Sequence, residues 1–298
     1  MYSLRPSKNY LNSTWFALTG LVLATLVWGG TFTIVKSVLV EAPPFSFLGW
    51  RFLIAFLLGT IVLGRQILNF TSGEIIGGAV CGIFLFSGFG FQTFGLITTT
   101  ASKSAFITSI SIILVPVFLI FAKLQKIKLK IWLSMAFAIF GLYLVLTPQG
   151  SGITIGDILT FGCAISFAIH VIVQDKYSKQ KLNTLRFFLI QALIVSVLSF
   201  GNHILFESQT VIWSGRFITA ILITAVVATL FGFGMMIQAQ KVLSPSRTAI
   251  VLSLEPLFAA IIAALLENEV FTISSWIGGL LVISGVMLAE TGKESQDY

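Results

Sequence analysis

From Trp15 to Val35 the chain carries not one Asp, Glu, Lys or Arg, and stretches of this kind recur along its length. A transmembrane helix needs about 20 largely apolar residues to cross roughly 30 Å of hydrocarbon. Apolar segments near 15–38, 45–63, 75–96, 104–122, 131–147, 155–174, 185–206, 217–240, 248–266 and 275–290 approach or meet that need, separated by clusters of Gly, Pro and charge. Ten such spans use about 200 residues of the 298 and leave only tails and short loops. The runs are continuously apolar, without the alternation of lipid-facing strands, so helices are expected rather than a barrel. The expected fold class is an all-α membrane protein with ten transmembrane helices. Composition agrees: 56% of residues are hydrophobic and 10% are charged, against roughly 25% charged in soluble domains. An ordinary water-soluble enzyme is excluded.

The net charge of +7 does not point to nucleic acid, because the cations sit in short connectors and form no basic domain or aromatic-interleaved patch. Their placement reports topology instead. With the N-terminus inside, 14 of the 18 cations fall in inner tails and loops. Lys36, Lys103 and Arg216 fall outside, and Arg51 lies within the second span. This bias predicts a multi-pass protein of the cell membrane with both termini cytoplasmic. Residues 1–14 are polar, and the run after them is longer than the 7–15 residues of a signal-peptide core, so it is read as a retained first helix. Cys81 and Cys163 lie inside apolar runs, which argues for neither a disulfide framework nor a thiolate metal site.

Residues 88–105, GFGFQTFGLITTTASKSA, lie without gaps on 232–249, GFGMMIQAQKVLSPSRTA, at an offset of 144. Gly88, Phe89, Gly90, Ser102, Lys103 and Ala105 meet Gly232, Phe233, Gly234, Ser246, Arg247 and Ala249. The same register carries Trp132 onto Trp276 and Gly141 onto Gly285. A repeat of five helices is odd-numbered, so the second copy enters the membrane from the opposite side and the topology is inverted. Inverted repeats build many secondary transporters, with substrate bound near the midplane between the halves. The expected domains are a tail over 1–14, repeats over 15–147 and 155–290, and a tail over 291–298.

Three stretches also resemble a known family: Trp28-Gly29-Gly30 in the first span, TTTASKSAF leading into the fourth, and LEPLFAAIIAALLENE followed by WIGGLLVISGVML. They are similar to the drug/metabolite transporter superfamily, EamA type, over nearly the whole chain. The resemblance implies two inverted five-helix halves around a central cavity lined mostly by the first, third, fourth, sixth, eighth and ninth helices. It implies transport of amino acids, metabolites or drugs, often outward. Glu267 and Glu269 depart from the wholly basic matching loop KLQKIKLK; the two loops lie on opposite faces, so the difference fits orientation.

Polar residues inside spans are the candidates for the pathway. Ser104, Thr108 and Ser111 share one face of the fourth helix, and the repeat carries them onto Thr248, Leu252 and Glu255 of the ninth. Glu255 sits about 10 Å inside its span at 1.5 Å per residue. It is open to three roles: a proton-coupling site, a ligand for a cationic group, or a structural acid beside Pro256. Cys163, Ser166, His170 and Gln174 form a stripe on the sixth helix, in which His170 is either a packed histidine or a neighbour of Glu255. Gln238 adds a polar position on the eighth. Arg51 either snorkels to the interface or serves as an anion contact or gate partner of Gln92. Lys103 and Arg247 are expected as anchors at opposite mouths, with attraction of an anionic substrate the alternative. Trp28 lies near the midplane rather than an interface and is a candidate cavity wall, with Gly29 and Gly30 thinning the helix beside it. Gly88, Gly90, Gly232 and Gly234 are expected to admit close helix approach.

The expected partners are the bilayer, a small-molecule substrate and, through Glu255, protons; no cofactor is expected. No phosphate-binding loop occurs, so a secondary transporter working by alternating access, and exporting, is the reading that best fits. An intramembrane enzyme is weakly supported, since no HExxH motif occurs and no nucleophile, histidine and acid can be grouped. A non-transporting sensor or scaffold would be expected to carry long extramembrane segments.

Overall fold

The computed structural model describes residues 14–124, 127–146, 152–267 and 272–290. The tails over 1–13 and 291–298, with Arg5, Lys8 and Lys293, lie outside the described residues, as do Lys126 and Glu269 and the side chain of Glu267. The described residues form an all-helical bundle without strands. The helices are α1 (Thr14–Val38), α2 (Pro44–Leu63), α3 (Ser72–Thr98), α4 (Ala101–Thr108), α5 (Ser111–Phe121), α6 (Leu129–Leu146), α7 (Ile155–Ser178), α8 (Thr184–Phe206), α9 (Gly215–Ile223), α10 (Gly232–Gln240), α11 (Pro245–Leu252), α12 (Leu254–Glu267) and α13 (Ile273–Glu290). Joined pieces make ten spans. Among the described residues nine are long and apolar enough to cross a membrane; the fifth, α6, is a shorter apolar helix.

Local chemistry sets the helix starts. Thr71 and Thr154 form capping boxes with Glu74 and Asp157, satisfying the free N–H groups at the starts of α3 and α7. Thr100 and Ser244, equivalent positions of the repeat, cap α4 and α11 by accepting from Lys103 N and Arg247 N. No side chain of its own cap residue serves α2, but Glu207 accepts from Phe45 N and Ser46 N across the bundle.

Two spans tighten and bend at related points, with the backbone right-handed helical throughout. The fourth bends between α4 and α5, where Ser109 Oγ bonds back to the Ala105 carbonyl at 2.8 Å; the ninth bends between α11 and α12, where Ser253 Oγ bonds back to Ile250 at 2.6 Å. Such back-bonding bends helices. The runs expected over 104–122 and 248–266 each remain a single span, bent at its serine.

The eighth span differs from its counterpart, the third. Between α9 and α10 it winds as a π-helix over Thr224–Phe231, while α3 is regular throughout. The numbering explains why: the stretch from the cap Ser214 to Gly232 is longer by a single position than the related stretch from the cap Thr71 to Gly88. A π-turn absorbs the additional residue.

Packing follows the inverted symmetry. The third span packs on the sixth as the eighth packs on the first; the second packs on the seventh, the fourth on the ninth, and the fifth on the tenth. At the fifth–tenth seam a Cβ at Gly141 would lie 2.5 Å from the Gly278 carbonyl oxygen. One at Gly285 would lie 2.6 Å from that of Ser134, the residue related to Gly278. Side chains such as Ile61, Ile76, Phe140, Leu205 and Leu280 are exposed on the outside of the bundle, as expected for a surface that faces lipid.

Candidate functional site

We call the end where α1 begins proximal and the end where it finishes distal. A central cavity of about 80 Å³ lies between the halves. The first repeat contributes Trp28, Thr31 and Val35 of α1, Arg51 of α2, Gln92 of α3, Thr108 of α4 and Ser111 of α5. From the second come Phe167 and His170 of α7, Phe233 and Met236 of α10, Leu252 of α11, and Glu255 and Pro256 of α12. Both helix bends open onto it.

Arg51 does not snorkel. It is 2% exposed, its Nε donates to Thr229 Oγ1 at 2.7 Å, and its guanidinium carbon lies 4.6 Å from the centre of the Phe89 ring, within cation–π range. Its Nη2 is buried without a hydrogen-bond partner. Trp28 Nε1 donates to the Ala228 carbonyl at 2.6 Å, so both first-repeat side chains engage the π-helical stretch of the eighth span. Glu255 faces the same cavity from the other half and interacts electrostatically with Arg51. Among the described residues, no hydrogen bond or ion pair holds its carboxylate.

His170 is not Glu255's hydrogen-bond partner. Its Nε2 pairs with Gln191 Oε1 at 3.0 Å, and Gln174 Nε2 donates to Gln240 Oε1 at 2.7 Å. Gln240 in turn donates to the Val171 carbonyl at 2.9 Å. These buried amides form a layer on the proximal side of the cavity. At the distal end Asp157 accepts from Lys103 Nζ at 2.5 Å and Thr99 Oγ1 at 2.6 Å, while Lys36 Nζ donates to the Thr99 carbonyl.

Of the residues singled out from sequence, Trp28, Arg51, Gln92, Thr108, Ser111, His170 and Glu255 meet at the cavity. Leu252, the repeat mate of Thr108, lines it too, whereas the remaining candidates do not. Gly29 and Gly30 turn toward α12, where a Cβ at Gly29 would lie 2.6 Å from the Glu255 carbonyl oxygen, so they seat that helix rather than widen the cavity. Ser104 and its repeat mate Thr248 are fully buried next to the lining residues Ala105 and Ala249, with unpartnered hydroxyls. Ser166 bonds back to the Gly162 carbonyl. Gln238 is half-buried away from the cavity, and the paired amide of that helix is Gln240. Lys103 and Arg247 are ion-paired, with Asp157 and Glu290 respectively, rather than free at the mouths. Gly88 packs on Phe167 and Gly232 on Trp28, whereas Gly90 and Gly234 face looser space.

Sequence reasoning missed Thr229 and the aromatic wall of Phe89, Phe167 and Phe233. Phe89 and Phe233 occupy equivalent places in the repeat and their rings meet at 5.9 Å, so the register between the two halves carried a signal for that pair. Asp157 was signalled by its capping box, Thr154 followed three residues later by an acid.

Comparison with known proteins adds to this geometry. The EamA-like transporter family matches twice, over residues 15–147 and 154–291. An uncharacterized transporter of Archaeoglobus fulgidus is 31% identical over 278 residues, spanning 92% of this chain and 85% of its own. The uncharacterized transporter YvbV of Bacillus subtilis is 28% identical over 287 residues, 93% of each chain. A solved crystal structure, 17% identical, superposes with a TM-score of 0.76 over 92% of this chain and 96% of its own, a likeness of fold. With two copies of the family's five-helix unit in inverted arrangement, the chain is a multi-pass membrane transporter and belongs to the EamA-like transporter family.

Proposed function

We propose that the protein is a secondary transporter that binds a small solute in the central cavity and exposes it to the two faces of the cell membrane in turn, working outward. The observation that carries this reading is a cavity at the seam of two inverted halves, toward which each half turns an ionisable side chain without an ion-pair partner among the described residues, Arg51 and Glu255. The repeats are taken as 15–147 and 155–290, with tails over 1–14 and 291–298. The distal cluster of Lys36, Thr99, Lys103 and Asp157 joins α1, α3, α4 and α7, all of which border the cavity. It acts as the gate at that end, and the buried glutamine layer acts at the other. Glu255 is the coupling residue for protons.

The test is solute movement in proteoliposomes over a broad panel of amino acids, metabolites and drugs, with and without a proton gradient. Wild type is expected to move at least one solute faster under a gradient, and whatever flux is left in Glu255→Gln is expected to show no response to pH. Absence of flux for the whole panel sinks the transport reading; an unaltered pH response in Glu255→Gln sinks the coupling role alone.

A further inference from the structure

The cavity joins two incomplete ion sites. Arg51 is 2% exposed, with one terminal nitrogen buried and unpartnered, and it lines the cavity from the first repeat. Glu255 lines it from the second, and among the described residues nothing hydrogen-bonds its carboxylate. The two interact electrostatically without forming an ion pair. Charges removed from water call for opposite charge and hydrogen bonds at contact distance. Among the described residues the hydrogen bond supplied to this pair is the one from Arg51 Nε to Thr229.

That contact has a structural origin. Thr229 and Ala228 belong to the π-helical stretch that accommodates the additional residue of the eighth span. A regular α-helix, as in the third span, would turn the Thr229 hydroxyl and the Ala228 carbonyl to other directions. The departure from repeat symmetry thus falls at the two residues that hold Arg51 and Trp28.

We propose that Arg51 is the oxyanion anchor of the site, held ready by Thr229, and that Glu255 receives a cationic group, so that the transported solute is a zwitterion. The assignment rests on the transport reading above and names its substrate class. A solute with only a positive group would satisfy Glu255 but leave Arg51 Nη2 unpaired, and a simple anion would leave Glu255 unpaired. Each such mismatch selects against the partial ligand. The cavity between Arg51 and Glu255 is walled by Phe89 and Phe233, which gives such a solute a place for each charged end and an aromatic surface for its apolar body. Thr229 acts through Arg51 and is a positioning residue.

The experiment is a melting-temperature series on the purified full-length protein with three matched sets. These are leucine, 3-methylbutylamine and 4-methylpentanoate; phenylalanine, phenethylamine and 3-phenylpropanoate; and threonine, 1-aminopropan-2-ol and 3-hydroxybutanoate. At least one zwitterion is expected to raise the melting temperature, and its matched amine and acid are not. Arg51→Lys and Thr229→Val, which keep charge and shape respectively, are expected to bind that zwitterion at least about 30-fold more weakly. If Arg51→Lys does not fold, Thr229→Val alone decides. The proposal is overturned if an amine or an acid stabilises as well as its zwitterion, if none of the nine compounds stabilises, or if both variants bind as wild type does. Flux of an amine or drug in proteoliposomes alongside such a failure would leave transport standing and remove only the zwitterion. Zwitterion binding without flux of anything would do the reverse.

Discussion

At the scale of single residues, the cavity depends on a neighbour that never touches it. Gly29 lets the backbone of the ninth span approach α1 so closely that an added Cβ would sit 2.6 Å from the Glu255 carbonyl and 2.8 Å from Ala259 N. Backbone cannot move aside as a flexible side chain can. Gly29→Ala is therefore expected to destabilise by about 1–3 kcal/mol and to weaken ligand binding by displacing Glu255. Gly30→Ala, whose Cβ would meet only Ile262 Cδ1 at 3.5 Å, is expected to be neutral or slightly stabilising through better helix propensity. Paired thermal unfolding of the two variants checks this, and equal losses would refute it. Arg51 and Glu255 were legible because charge inside an apolar run is rare. Their partners were not, since Thr229 lies 178 positions from Arg51 and reads in sequence as one hydroxyl among many.

At the scale of elements, span count and rough bounds follow from apolar length, whereas the helix bends follow from it only in part. Nothing local distinguishes Ser109 from serines that leave a helix straight, but Pro256, three residues after Ser253, lacks the N–H that would bond the Leu252 carbonyl and so marks the second bend. The π-turn is subtler: it shows as a single position of mismatch between related caps, visible only once both helix starts are known. Element ends carry the next expectation. Asp157 draws Lys103 and Thr99 together at the distal end, so Asp157→Asn should loosen the closure there. A cysteine introduced at Leu96, beside the cavity, is expected to react about tenfold faster with an impermeant thiol reagent from the distal side. That factor corresponds to about 1.4 kcal/mol of lost closure. Cys81 and Cys163 are fully buried, which keeps the background low. An unchanged rate would show that the cluster does not close that end.

At the scale of the whole molecule, the repeat was readable because a single gap-free register survives from the third helix through the fifth. The orientation reading adds its own expectation. Reporters fused after residue 150 and after residue 298 should lie on opposite faces, with the second cytoplasmic, because five spans separate them; a shared face would contradict an odd-numbered repeat. Lysines and arginines set this direction, and the basic segment over 123–130 has no basic counterpart in 267–274.

The seam between α6 and α13 carries a history as well as a geometry. Gly141 meets Gly278 and Val282 of α13, while Gly285 meets Ser134 and Ala138 of α6, which hold the equivalent places in the first repeat. Contacts that map onto themselves in this way are what two copies of one five-helix chain would make if they paired in opposite orientations about a two-fold axis in the plane of the bilayer. An ancestor of that kind would have needed to insert in both directions, and so to carry little charge bias between its loops. Fusion of two such chains into one polypeptide would remove that constraint and leave each half free to carry its own cations, its own acids and, in the eighth span, its own additional residue.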